Sequence, residues 1–422
     1  MKKKIFSLAL GAIAAVVATT GTACSNNKIE EKPETVFPAY EGIESVDYSN
    51  VTIPEDFKLG LICLHDEQST YDKNFIDAAK RAISELGLSE NNLVIKSNIP
   101  EKALCETEAK DLAQSCDVIF ADSFGHEGYI ANAAKAFPNV EFCHATGVTA
   151  NAENKDLANF HNAFASIYEG RFIAGVAAGL KLNEMIENGE ISAKEAKIGY
   201  VGAYTYAEVI SGYTSFYLGA KSVCPSVTME VKFTGSWFDI TAEKTTAEAL
   251  IGRGCKLISQ HADSMGAPRA CEENGVPNVS YNGSTYSECP ETFIISSKID
   301  WTPYFKYIIT QAAQDKPIAK DWCGDLKTGS VSLTNIGGAA AEGTLAELIK
   351  VRKDLADGKT MVFDINTFTV KGAKLTSLTV NGTIEAIKDG TFMESNVEMF
   401  RSAPYFEQNI DGITLLNTAY GD

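Results

Sequence analysis

Short apolar runs and longer stretches of helical periodicity alternate along the chain in two similar blocks. In the first block, residues 58–63 form an apolar run suited to a buried strand. Residues 72–86 then set Phe75, Ala79, Ala82 and Leu86 on one helical face. Further strands are expected at 93–96, 118–121 and 140–143, with helices at 101–115 and 127–137 between them. The second block repeats the order. Strands are expected at 198–201, 229–233, 257–260 and 278–281, and helices at 206–223, 241–252 and 265–274. An Ala/Gly-rich helix at 169–185 is expected to close the first lobe, and a helix at 301–313 to return the chain. Residues 361–387 read as a small β addition, with Phe368-Thr-Val370 and the run 375–380 separated by Gly372.

The two blocks are a duplication. At a shift of 139 residues, Lys58-Leu-Gly-Leu-Ile62 lies over Lys197-Ile-Gly-Tyr-Val201 and Cys116-Asp-Val-Ile-Phe120 over Cys255-Lys-Leu-Ile-Ser259. Pro138-Asn-Val-Glu-Phe142 lies over Pro277-Asn-Val-Ser-Tyr281 at the same shift. Strands that alternate with helices form parallel sheets covered on both faces. The reading is therefore an α/β protein with two doubly wound parallel-sheet lobes joined by a hinge. The first lobe is assigned to 56–190 with part of 300–345, and the second to 191–299. Residues 300–422 supply the hinge returns, the closing helix and the β addition.

The start of the chain fixes the compartment. Lys2, Lys3 and Lys4 precede an apolar run from Ile5 to about Ala18 and the small residues Gly21, Thr22 and Ala23. That order reads as a signal peptide over 1–23, and the run is short for a bilayer span. Cys24 follows directly and is the expected lipidation site, although Gly21 stands where a Leu is usual. Residues 24–55 read as a lipidated tether, because they are polar, acidic and aperiodic. Without the three signal lysines, 34 basic residues face 55 acidic ones. This excess argues against nucleic acid and leaves the lipid anchor as the expected membrane contact. Of the ten cysteines, nine remain besides Cys24, several within apolar runs, and buried free thiols are the expected state.

Ligands bind open parallel sheets beyond the carboxyl ends of the strands. The loops at those ends carry the candidate residues. Asp66 and Tyr71 stand in the loop after the first strand, Phe124 in 122–125 and Tyr204 in 203–206. In Gly235-Ser-Trp-Phe-Asp239, Trp237 offers a flat ring beside the Asp239 carboxylate, a pair suited to a nitrogen heterocycle. Asp239 is equally well placed to cap the following helix. Gln260-His-Ala-Asp-Ser264 adds His261 and Asp263, and Asn282 follows the strand at 278–281. A hydrolase triad of His261, Asp263 and Ser264 is rejected, because these residues stand too close together in sequence to align. No dinucleotide or P-loop glycine pattern and no histidine spacing for metal occurs, so no cofactor and no metal are expected.

The chain from about Lys58 onward resembles the basic membrane protein family of ABC-transporter substrate-binding lipoproteins, which includes purine nucleoside receptors. The resemblance rests on Tyr71-Asp-Lys-Asn-Phe75, Asp117-Val-Ile-Phe120, Tyr168-Glu-Gly-Arg-Phe-Ile-Ala-Gly-Val176, Thr234-Gly-Ser-Trp-Phe-Asp239 and Gln260-His-Ala-Asp-Ser264. It implies a periplasmic-binding-protein type I fold. It also implies capture of a purine-like solute for an ABC permease and its ATPase. By resemblance, the first-loop aromatic falls on Phe75 and the acidic position that holds ribose falls on Asn282. The family lysine has an approximate match at Lys298, and Trp301 at the returning helix completes the candidate set. The change at Asn282 favours a purine or similar nitrogen heterocycle over a nucleoside. A cell-surface sensor of the same fold, binding riboflavin or a sugar, is the alternative.

Overall fold

The fully apolar runs become the buried strands of two sheets in the computed structural model, which describes residues 33–418. The first lobe holds β1 (Leu59–Ile62), β2 (Leu93–Lys96), β3 (Val118–Ala121), β4 (Glu141–Ala145) and β5 (Phe160–Ala165). The second holds β6 (Lys197–Gly202), β7 (Thr228–Phe233), β8 (Leu257–Gln260), β9 (Asn278–Tyr281) and β10 (Phe293–Ile299). Two later strands are split between the lobes: β11 (Asp321–Gly324) extends the first sheet and β12 (Val331–Leu333) the second. The sheet orders are β11-β5-β4-β3-β1-β2 and β12-β10-β9-β8-β6-β7-β17, where β17 spans Ile413–Leu415. All neighbours in both sheets are parallel except β12 against β10. The order 2-1-3-4-5 therefore recurs as 7-6-8-9-10, which is the duplication seen at the 139-residue shift.

The helices are α1 (Thr70–Glu85), α2 (Ala103–Leu112), α3 (Glu127–Ala136), α4 (Ile167–Glu187), α5 (Ala207–Val223), α6 (Ile240–Gly252), α7 (Gly266–Asn274), α8 (Thr302–Ala312) and α9 (Thr344–Ala356). Helix α1 shows how local chemistry sets their ends. Ser69 caps it, accepting from the Asp72 N–H at 3.2 Å, and Phe75, Ala79 and Ala82 are buried. Past its end, Gly87 takes a φ of 74°, a left-handed turn that glycine adopts without strain. The chain crosses between the lobes three times, after β5, after β10 and after β11. Triple crossings of this kind make a hinge.

Three expectations are corrected. Helix α4 does not close the first lobe. It packs on α5, β10 and α9 of the second. Its apolar residues surround it on nearly every side, so no amphipathic face marked its partner. The tether does not extend through 24–55. Thr35 pairs with Ile336 beside β12, Phe37 is buried, and the Arg352 guanidinium stacks over the Phe37 ring at 4.7 Å. Arg352 also donates to the Pro38 carbonyl at 2.5 Å. The β addition is present, but residues 368–370 give it no strand beyond an isolated bridge of Val370 with Ala373. Instead β13 (Thr379–Val380) pairs with β14 (Ile384–Glu385), and β15 (Ile387–Lys388) with β16 (Thr391–Phe392).

The C-terminal segment is a strap that touches both sheets. The Ser402 N–H donates to Asp321 of β11 at 3.0 Å, and β17 runs parallel to β7. Its own small core stacks Phe363 on Phe406 at 4.6 Å and reaches α4 through Tyr168.

Candidate functional site

The carboxyl ends of both sheets face each other, and the lobes meet there. The Thr70 N–H and hydroxyl donate to the Asp263 carbonyl at 3.1 and 3.2 Å. Phe124 packs on Tyr206 at 4.8 Å and His65 on Phe238 at 5.3 Å. Between these contacts lies a small cavity. It lies at the switch points of both sheets, where β1 meets β3 and β6 meets β8.

From the first lobe the cavity is lined by Leu64 and His65 after β1, Tyr71 and Asp72 on α1, Ser123 and Phe124 after β3, and Thr146 after β4. From the second come Glu208 on α5, Trp237 after β7, His261 and Asp263 after β8, and Tyr281 and Asn282 at the end of β9. Thr146 and Asn282 each follow directly on their strand, β4 and β9, and both take positive φ, 63° and 64°. That backbone is unfavourable for a β-branched residue such as Thr and is a recurrent feature of ligand sites.

Tyr71, Phe124, Trp237, His261, Asp263 and Asn282 are thus brought together. Six other candidates are placed elsewhere. Phe75 and Trp301 stack on each other at 4.5 Å in the first-lobe core, where their helical register points them. Asp239 caps α6, accepting from the Ala242 N–H at 2.9 Å. Asp66 holds its own loop, accepting from the Gln68 N–H and from Asn98. Tyr204 packs edge-on behind Trp237 at 4.9 Å, and Lys298 lies on β10 opposite Ser332. The lining residues not foreseen, such as Glu208, Tyr281 and Asp72, look like ordinary helix-start acids and strand residues in sequence.

Hydrogen bonds fix the chemistry of the wall. His261 Nε2–H donates to Glu208 at 2.5 Å, and its Nδ1 accepts from Arg171 at 2.9 Å. Burial keeps this imidazole neutral, its pKa pushed down. Burial opposes ionisation of Glu208, but His261 and the Arg171 guanidinium overcome it and hold the carboxyl below its usual range. Arg171 is itself buried and lies over the Tyr281 ring at 3.2 Å. Asp72 is likewise held low: burial opposes this, and His65 and Ser69 outweigh it. Asp263 differs. Burial, with Asp72 and Glu243 nearby, pushes its carboxyl well above the usual range. One oxygen accepts from Asn282 at 3.3 Å, and the other has no protein donor among the described residues. The lining holds carboxylates, rings and amide groups but no Lys or Arg.

Buried acids elsewhere share this upward shift. Burial raises Glu169 to about 8, Glu243 and Glu394 to about 7, and Asp321 to about 6. Each is protonated in the fold where the unfolded chain is ionised, so folding takes up protons. Stability is complete below the unfolded pKa values and is lost as pH rises through about 6 to 8. The ligand-free protein is expected to melt about 5 °C higher near pH 5.5 than near pH 8.5. Calorimetry across that range checks it, and a flat profile would contradict these shifts.

Two facing sheets of recurrent order, a triple crossing and one interlobe cavity define a two-lobed solute-binding protein. Residues 60–356 match the Bmp family, described as ABC transporter substrate-binding protein PnrA-like, and the chain belongs to that family. It is 32% identical over 255 residues to a purine-binding protein of Brucella abortus, covering 60% of this chain and 67% of that one. It is 32% identical over 221 residues to a putative ABC transporter glucose-binding protein of Haloferax volcanii, covering 52% of each. A solved ABC solute-binding protein of Conexibacter woesei has the same fold, with a TM-score of 0.58 at 18% identity over 72% of this chain and 97% of that one. Proteins of this class hold a small solute outside the cytoplasm and present it to a permease. Among the described residues no helix is long and apolar enough to cross a membrane. The signal segment and Cys24 lie outside the described residues.

Proposed function

We propose that the cavity binds a purine nucleobase or similar nitrogen heterocycle, without catalysis, for delivery to an ABC permease and its ATPase. Lipidated Cys24 would anchor the receptor to the membrane. The observation that carries this reading is the Trp237 ring and the half-satisfied Asp263 carboxyl in one cavity. A ring N–H donated to Asp263 would supply its missing partner, and the flat ring would lie against Trp237 and Tyr71. The absence of lining cations disfavours nucleotides and other anions. The relative named for purine binding agrees with this reading. The relative named for glucose binding sets the competing one.

A thermal-shift series with nucleobases, nucleosides, riboflavin and glucose separates them. A neutral purine is expected to stabilise the protein by about 3 kcal/mol at a hundredfold excess over Kd. A shift with glucose alone would overturn the proposal. Asp263→Asn is expected to weaken purine binding about 10- to 100-fold, the usual cost of leaving a buried polar group without its partner. Unchanged affinity would remove Asp263 from recognition.

A further inference from the structure

Behind the Asp72 wall, the ends of β1 and β3 bring together a second group of side chains. Ile62 and Ala121 are register partners, so the next residues, Cys63 and Asp122, emerge side by side. Asp72, in the first turn of α1, leans over both. One ligand-type atom from each of Cys63, Asp72 and Asp122 lies within 4.8 Å of the other two, and all three residues are buried.

Asp72 is supplied with donors, the His65 N–H at 2.7 Å and the Ser69 hydroxyl at 2.5 Å, but Asp122 and its neighbour His126 are not. Asp122 Oδ1 accepts from the Leu64 N–H at 3.1 Å, but Oδ2 has no partner and no exposure. His126, also fully buried, donates Nε2–H to the Ile99 carbonyl at 2.9 Å. In the neutral ring its Nδ1 is then a bare lone pair, and it too lacks a partner. That lone pair stands 3.9 Å from Asp122 Oδ1, acceptor facing acceptor. Two carboxyls and one sulfur thus converge, with the imidazole nitrogen standing beside Asp122. Buried polar atoms without partners are rare and call for a counter-ion, a water or a proton.

We propose that Cys63, Asp72 and Asp122 form a zinc site, with His126 Nδ1 beside it as the fourth donor. Thiolate, carboxylate and imidazole are the ligands zinc takes in tetrahedral sites. Bond lengths near 2.0–2.3 Å place tetrahedral ligand atoms roughly 3.5 Å apart, so side-chain shifts of about 1 Å would complete it. Binding releases to solvent the Cys63 proton and the proton that burial beside Asp72 keeps on the Asp122 carboxyl, and leaves the metal with a thiolate and two carboxylates. The ion would neutralise two neighbouring buried carboxylates and stiffen the wall that carries Tyr71 and Asp72. No spacing in the sequence could reveal it, because its members come from three separate strand ends and helix starts.

The mature chain, stripped with EDTA, is titrated first with Co²⁺ and then with Zn²⁺. One equivalent of Co²⁺ is expected to give a sulfur-to-cobalt charge-transfer band, which Zn²⁺ then abolishes. Zinc is also expected to raise Tm. Cys63→Ser should lose the band, and Asp122→Asn should weaken zinc binding by about 100-fold or more, beyond the loss of an outer hydrogen-bond partner. The Asp122→Asn change keeps the side-chain shape and serves if Cys63→Ser fails to fold. Wild-type protein with no cobalt band and no response of Tm to zinc would overturn the site. So would zinc binding of equal strength in Asp122→Asn. A metal-independent gain of stability in Asp122→Asn would assign the pair a shared proton instead, and that too would overturn it.

Discussion

Trp237→Ala is expected to weaken binding of the heterocyclic solute by about 10- to 100-fold, which is the usual value of one base–aromatic stack. The indole follows β7 and lines the cavity. Tyr204 meets it edge-on at 4.9 Å, and Tyr206 lies nearly parallel to it at 5.9 Å. The ring is therefore held in place before any solute arrives, so little ordering entropy opposes stacking. The loop does not depend on the side chain: the Asp263 N–H donates to the Trp237 carbonyl at 2.9 Å, a bond alanine keeps. The unliganded protein should consequently melt within a few degrees of wild type, while the affinity measured by titration calorimetry falls. Trp237→Phe should recover most of it. Equal affinity in the alanine variant would show that the solute does not lie on this ring, and the heterocycle proposal would lose its main support.

The duplication made the architecture legible. Three matched strand entries at one shift showed that the two blocks share one succession of elements, and both sheets repeat one strand order. The strand-end rule located the cavity through Tyr71, Phe124, Trp237, His261, Asp263 and Asn282. It could not separate cavity from core along a helix. Phe75 stands four residues from Tyr71, on the same side of α1, yet one turn deeper it stacks on Trp301. Glu208 was missed because an acid in a first helical turn is ordinary, whereas here it holds His261. Strand β5 was missed for a different reason. In β5, His161 and Asn162 interrupt the apolar run, and both are buried by bonds to distant partners, His161 to Glu141 and Asn162 to Glu127 and the Ala150 N–H. Pattern alone assigns such residues to a loop.

The Glu-Gly-x-x-x-Ala-Gly segment that marks the family resemblance has a structural cause, and it sets the second large effect. Gly219→Ala is expected to destabilise the protein by about 3 kcal/mol. A Cβ on Gly219 would lie 2.0 Å from the Phe172 carbonyl oxygen, and one on Gly175 would lie 2.0 Å from that of Phe216. Helices α4 and α5 thus touch backbone to backbone. The obstructing atoms are main chain, so no rotamer change can make room and the helices must part. Alanine favours helix over glycine by about 1 kcal/mol, which is too little to offset that separation. Gly252→Ala is the control: its added Cβ meets nothing within 4 Å, and it should be neutral or slightly stabilising. Denaturant titrations of the two variants give the comparison. The displacement should also reach the solute. Arg171 precedes Phe172 on α4 and donates to His261 and to the Gln260 carbonyl. Parting α4 from α5 therefore loosens the cavity wall as well as the core, and Gly219→Ala should bind solute more weakly even where it remains folded. Wild-type stability in this variant would mean that α4 and α5 stand further apart than backbone contact, and that Arg171 is not held against His261 by their packing.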